Sequence, residues 1–563
     1  MVACFFPCHA QQPTPQSEEV KNGTITGRVF NDSGQPLAGA TVSVRSAGIV
    51  AFTNRTAQTN SEGSFQVTGL DNGLYYVSAF SAAFVVPIVD PDDIPRTYRV
   101  GDSVRLELAR GGVITGTVTN ANSEPVIGVR VRALMVKDAT GKELKGRFAG
   151  QERQTDDRGM YRIYGLQSGS YIVFAGGNGN QFSTLNATDF DAPTYAPSST
   201  RDTASEVQVR SGDETTVDIR YRYEQGHSIS GTVKSVATNG ASVNLSQASG
   251  AFTMIGSSFQ PMGAKGFVFN GIADGEYTLT ASEALSQLNN NVFPDMAMSD
   301  PLRVTVKGGD VTGVELIPKA LAAIAGKITL EPAKLPECQN KRQPAFTETM
   351  ISLVQNRKDP EIDQLALMRA VVGASMPDKD GAFVVKNLRA GQYILSPRFF
   401  ARYWYLKSMS LPGPTESTTA KGAALAKDVA KNWTTLKTGD RLTGLTITLS
   451  EGAGSIRGKL EKNEAGVRVY VVPSERDKVD DPLRYFSAEI NEDGSFLLTS
   501  LPPGKYLTLA QQSQADIPTT TEKLRLPDAV EARSKLRRAA EAAKSEVELK
   551  PCQNVTDLTI RPN

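Results

Sequence analysis

Histidine is nearly missing from this chain: in 563 residues it occurs only as His9 and His227. Histidine is the commonest general base near neutral pH and the commonest zinc ligand, so ordinary acid–base and zinc chemistry lack their parts. No G-x-S-x-G elbow occurs to supply a hydrolase nucleophile. Cysteine is also scarce, and none of Cys4, Cys8, Cys338 and Cys552 forms a close C-x-x-C pair of the zinc-ribbon or thioredoxin kind. No run of about 18 apolar residues is present, which excludes a membrane-spanning helix. Charge of one sign is lacking too. Sixty-one Lys and Arg against 60 Asp and Glu leave no field to attract nucleic acid or an anionic membrane.

What is present points to a globular chain of several domains. A hydrophobic share of 40% and a charged share of 21% are ordinary for folded protein, and the length exceeds one hydrophobic core. The opening MVACFFPCHAQQ resembles the tail of a secretory signal, with cleavage expected after Ala10, although its apolar stretch is short and no basic residue precedes it.

A strand-like motif with a central glycine recurs five times: ITGRV (25–29), ITGTV (114–118), ISGTV (229–233), IAGKI (324–328) and IRGKL (456–460). Alternation of apolar and polar residues marks a half-buried strand, and the glycine marks a bulge or a close backbone approach. A turn and a second alternating strand follow in PLAGATVSV (36–44), PVIGVRVRA (125–133), NGASVNL (239–245) and AGVRVYVV (465–472), with TMISLV (349–354) as the fourth copy's counterpart. A third element reads turn, Gly, aromatic strand, then apolar-x-x-Gly-x-Tyr; NEDGSFLLTSLPPGKYLTL (491–509) is its fifth copy. Its second glycines, Gly73, Gly169, Gly275, Gly391 and Gly504, permit a tight turn. The tyrosines two residues on, Tyr75, Tyr171, Tyr277, Tyr393 and Tyr506, fit a tyrosine corner, ring buried and hydroxyl bonded to backbone. Each unit closes with a polar turn and one more alternating strand.

Short strands with turns at regular intervals give an all-β antiparallel sandwich. The expected division is a leader and linker over 1–22 and β-sandwich modules over 23–110, 111–224, 225–320, 321–451 and 452–563. Two Ala- and Lys-rich stretches, 421–433 and 528–545, have helical spacing and are expected as surface helices inserted into modules four and five. Junctions of a few residues predict a semi-rigid elongated rod.

Together, I-x-G-x-V, P-hydrophobic-x-G-A-x-V, D-x-x-G-x-F/Y and L-x-x-G-x-Y resemble the carboxypeptidase regulatory-like modules, which are close to collagen-adhesin B-type repeats and transthyretin-like sandwiches. The resemblance implies a tandem array of Greek-key, seven-stranded sandwiches in an exported bacterial protein of the cell surface or periplasm. It implies no enzyme, because the peptidase activity in the name belongs to a separate zinc domain. A protein or polysaccharide partner is expected, with carbohydrate binding as the alternative function on the strength of related starch-binding folds. Neither cofactor nor nucleic acid is expected.

Remaining candidates carry two readings each. Cys338 and Cys552 share the local text Cys-Gln-Asn in neighbouring modules, and either form a disulfide stapling modules four and five or are buried thiols. Trp404, with Tyr403 and Tyr405, suits either strand packing or an aromatic ligand platform. The acidic turns at Asp156-Asp157, Asp378-Asp380 and Glu492-Asp493 suggest calcium, but the acids stop at a glycine and read better as hairpin turns. Lys459 and Asn554 are the nearest match to the isopeptide bond of adhesin relatives. His227 reads as a structural or exposed residue.

Overall fold

The computed structural model describes residues 23–562 except 48–53, 88–95, 145–149, 178–186, 235–239, 248–253, 261–265, 287–293, 357–374, 413–426 and four single positions, 463, 465, 492 and 515. The proposed leader, with Cys4, Cys8 and His9, lies outside the described residues.

Five pairs of sheets follow one another along the chain. The last shows the plan most simply. Gly454–Leu460, carrying the IRGKL motif, is the middle of a three-stranded sheet, antiparallel to Ser495–Leu501 on one side and parallel to Asn554–Ile560 on the other. The facing sheet runs Phe486–Glu489, Val467–Pro473, Gly504–Gln512, Glu546–Leu549. The same arrangement recurs with Gly23–Asn31, Gly112–Thr119, His227–Val233 and Ala322–Glu331 as the middle strands. Inward residues of both sheets, such as Ile456, Val469, Val471, Phe496, Leu498, Tyr506 and Ile560, fill the fifth core. The protein is therefore an all-β tandem array of five sandwiches. The expectation of an antiparallel sandwich is corrected in one pairing: the first and last strands of each unit run parallel, side by side.

The central glycine of each first strand has a steric cause. A Cβ on Gly27, Gly116, Gly231, Gly326 or Gly458 would stand 1.9–2.4 Å from a carbonyl oxygen of the closing strand: Val104, Val217, Val314, Leu445 or Leu558. On the other side, strand register sets each glycine opposite the aromatic residue of the third element: Phe65, Tyr161, Phe267, Phe383 or Phe496. Glycine lets the ring lie across the strand while the closing strand bulges in.

Of the two predicted helices, one is present among the described residues. Val530–Ala543 is helical, buries Leu536 and Ala540, and packs with Leu524 and Ile517 on Tyr470, Val472, Leu507 and Leu509, the outward face of the fifth sandwich's second sheet. The described part of 421–433 is not a helix. Lys427–Asp428 pairs as a strand with Ser410–Leu411, and Val429 and Ala430 are buried in the fourth core. Helical spacing of apolar residues cannot by itself tell a helix from a bent segment that buries two adjacent residues.

Consecutive sandwiches touch. Between the first and second, Ser211 Oγ donates to the Asp32 carboxylate, which also accepts from Arg110 N of its own sandwich. Arg201 donates to Gln247 between the second and third. Asn387 bonds to Met296 N and Pro294 O between the third and fourth. The first sandwich also meets the fourth, where Arg99 Nη1 donates to Phe400 O at 3.1 Å. A straight rod cannot make that last contact, so the expected rod is corrected to an array that turns back on itself.

Candidate functional site

The five tyrosines of the third element share one geometry. Each ring is buried. Each hydroxyl donates to the carbonyl four residues upstream: Tyr75 to Asp71 (2.7 Å), Tyr171 to Gln167 (2.9 Å), Tyr277 to Ala273 (2.8 Å), Tyr393 to Arg389 (2.9 Å) and Tyr506 to Pro502 (2.8 Å). Gly73, Gly169, Gly275, Gly391 and Gly504 fall inside the turns so closed. The bond straps each turn onto its own sandwich core. Burial raises the phenol pKa in Tyr75, Tyr171, Tyr277 and Tyr506, and Tyr506 is pushed up to about 12. These residues hold the fold and expose no reactive group.

The acidic turns use their carboxylates internally. Asp156 accepts the backbone N–H groups of Arg158 (3.0 Å) and Met160 (2.8 Å), and Asp378 those of Asp380 and Ala382 (both 2.9 Å). Asn31, Asn60 and Asn120 make the same pair of bonds in other turns. A neutral amide therefore does the same work as the acid, which is hairpin geometry rather than a cation site.

The aromatic platform is corrected at its centre. Trp404 is fully buried, on a strand Trp404–Leu411 that extends the fourth sandwich's first sheet, and its ring packs in the core with Leu406, Met409 and Ala401. A ring with no exposed face cannot stack on a sugar. The alternation around it was legible, but which face was inward depended on the neighbouring strand Arg441–Glu451. Tyr403 and Tyr405 are half-buried. Tyr403 works at a junction: its carbonyl accepts from Gly452 N and Ala453 N, and its hydroxyl from Asn554 Nδ2 at 3.2 Å.

That junction, between the fourth and fifth sandwiches, gathers most of the remaining candidates. Cys338 and Cys552 are joined by a disulfide with Cα atoms 5.4 Å apart, and both residues are buried. Arg402 Nη2 donates to Ser455 Oγ at 3.2 Å, and Ser455 Oγ in turn to Asn554 Oδ1 at 2.7 Å. Leu483, from the fifth sandwich, is buried in the core of the fourth. Asn554 is thus committed to the junction, opposite Ser455, while Lys459 pairs opposite Thr559 with its ammonium 4.0 Å from Asp493. The two do not meet, and the isopeptide candidate is set aside. His227 stands 3.3 Å from the Asp274 carboxylate at the start of its strand, with no nucleophile alongside in the contacts described. Among the described residues, no group of three His, Cys, Asp or Glu side chains is arranged to hold a metal ion, and no helix is long and apolar enough to cross a membrane.

Residues 24–87, in the first sandwich, match the carboxypeptidase regulatory-like domain family. No curated protein matches the chain. Among solved structures, the chain is similar to the Bacillus anthracis TIE protein, at 13% identity over 53% of this chain and 51% of that one, with a TM-score of 0.14. The chain spans about half the length of that protein. It is also similar to a streptococcal ancillary pilin, at 13% identity over 53% of this chain and 99% of the pilin, TM-score 0.16. A third is GBS52, the minor pilin of Streptococcus agalactiae, at 13% identity over 36% and 96%, TM-score 0.19. Superpositions this partial add nothing to the fold, which rests on its own strand pairing.

Proposed function

We propose that this chain is a non-catalytic, exported structural or interaction protein of the bacterial cell surface or periplasm, in which successive sandwiches act as spacers and contact surfaces. The observation that carries the reading is the disulfide between Cys338 and Cys552, 214 residues apart in sequence, which joins the fourth sandwich to the fifth. Disulfides persist in oxidising compartments and are rare in the cytosol. The shared plan of the five cores supports it, since the polar side chains of the repeated motifs are spent on turns, corners and junctions. The partner is a protein or polysaccharide met outside the cytoplasm. Carbohydrate binding loses the aromatic platform with the burial of Trp404 and keeps only the fold-level likeness. The domain division belongs to the same proposal, one sandwich each over 23–110, 111–224, 225–320, 321–451 and 452–563, and the five pairs of sheets support it.

The test is cell fractionation followed by peptide mapping with and without reductant. The reading expects the chain outside the cytoplasm, with the Cys338 and Cys552 peptides linked until reduced. A cytoplasmic protein with two alkylatable thiols at these positions would overturn it.

A further inference from the structure

The contact between the first and fourth sandwiches is more than an incidental touch. Ala47, Leu74 and Met350 form a buried apolar cluster across it, with Tyr76, Met376 and Phe400 packed around. Arg99 reaches from the first sandwich to the Phe400 carbonyl, and its guanidinium lies 5.3 Å from the Phe400 ring centre. Gly73 is buried although it sits at a turn, with the Thr347 carbonyl 3.7 Å from where its Cβ would be.

The repeat itself supplies an independent observation. Leu74 directly precedes the corner tyrosine. The same position in the other four sandwiches is Ser170, Glu276, Gln392 and Lys505, all polar. Met350 lies five residues before Gln355, the strand partner of Tyr393. Counting the same way from the partners of the other corner tyrosines, Ser46, Met135, Gln247 and Pro473, gives Thr41, Arg130, Ser242 and Arg468. These are polar again. At each of these two positions, the one sandwich with an apolar residue is the one that makes this contact. A sandwich of this plan tolerates polar residues there, so the cause of Leu74 and Met350 lies in each other.

We propose that the first and fourth sandwiches form a clasp that closes the first four into a ring, leaving the fifth tethered to the fourth by its disulfide, and that opening the clasp turns the ring into an extended string. The consecutive contacts at the other three junctions complete the circuit. The clasp buries three side chains fully, against twelve in the first sandwich's own core, so it opens before a sandwich unfolds.

The experiment is small-angle scattering on the full chain and on Leu74→Gln/Met350→Thr. These substitutions install residues that sister sandwiches already carry, so folding is retained, as thermal melting will check. The clasp predicts a compact wild type and a radius of gyration raised about 1.3-fold in the double variant, as when four linked bodies open from a ring to a string. A wild type already as extended as the variant, or a variant as compact as the wild type, overturns it. Should the double variant lose its melting transition, a Gly73→Cys/Thr347→Cys pair in a Cys4→Ser/Cys8→Ser background decides instead. Oxidation within single chains supports the clasp, whereas no cross-link, or one formed only between chains, overturns it.

Discussion

At the residue scale, the tightest constraint is the glycine of each first strand. Gly458 has the Leu558 carbonyl 2.2 Å from its would-be Cβ and the Phe496 ring at 2.6 Å, so neither side can yield without moving a strand or a core aromatic. Gly458→Ala is therefore expected to destabilise the fifth sandwich by about 3 kcal/mol, the upper end of overpacking costs, read from denaturant melts. Tyr506→Phe keeps the ring and loses the bond to Pro502 and the weaker one accepted from Arg484 Nη1, for an expected cost of about 1–2 kcal/mol. If the two ranked the other way, the corner rather than the glycine would be the tighter constraint. The corners also set a pH dependence. A phenol whose pKa is raised by folding stabilises fully below its unfolded value of 10.0 and loses that contribution as pH climbs through the folded one, about 12 for Tyr506. Stability should fall between roughly pH 10 and 12, and Tyr506→Phe should flatten the fall in the fifth sandwich. Both the glycine and the tyrosine were legible as recurrences. That the glycine marks a close backbone approach was legible as well, but what approaches it was not, because the colliding partner of Gly458 is a strand about 100 residues away that pairs parallel to it.

At the scale of elements, alternation reported strands well where one face is solvated and poorly where both are covered. The second sheet of the fifth sandwich reads VRVYVVP and YLTLA with scarcely any alternation, because the helix Val530–Ala543 lies over its outer face. Leu536 is the centre of that cover, fully buried against Tyr470 and Leu509. Leu536→Ala should cost about 3 kcal/mol and lower the melting of the fifth sandwich alone. Equal loss across all transitions would mean that the helix serves the whole array. Arg533, a buried residue of the same helix, donates to the Leu524 and Leu526 carbonyls and so ties the preceding turn to it. In the second sheet of the second sandwich, likewise poorly alternating, Leu134, Ile172 and Phe174 are buried on the outer face together with Tyr195, the partner of Phe174 on the adjoining strand. Trp404 belongs to the same lesson. Its strand alternates, but only the strand beside it decides which ring is inside.

At the scale of the molecule, five sandwiches and their order were legible from the repeat, whereas the turn back of the first onto the fourth was not. Two residues, Leu74 and Met350, break the pattern of their sisters, and without the register of the sheets their positions could not be compared. The disulfide is the other long-range tie. Cys552→Ser removes the constraint on a 214-residue loop, worth about 5 kcal/mol in chain entropy, yet leaves Leu483 in the fourth core. The fourth and fifth sandwiches should then melt at lower temperature while staying docked, visible as an unchanged hydrodynamic radius below the transition. The parallel pairing of first and last strands has a mechanical consequence. Parallel neighbours place the entry of the chain at one pole of each sandwich and its exit at the other, so a pull on the two ends runs along those strands. Their rungs then carry the load in shear, all together, and a sandwich built this way yields at far higher force than a hairpin peeled rung by rung.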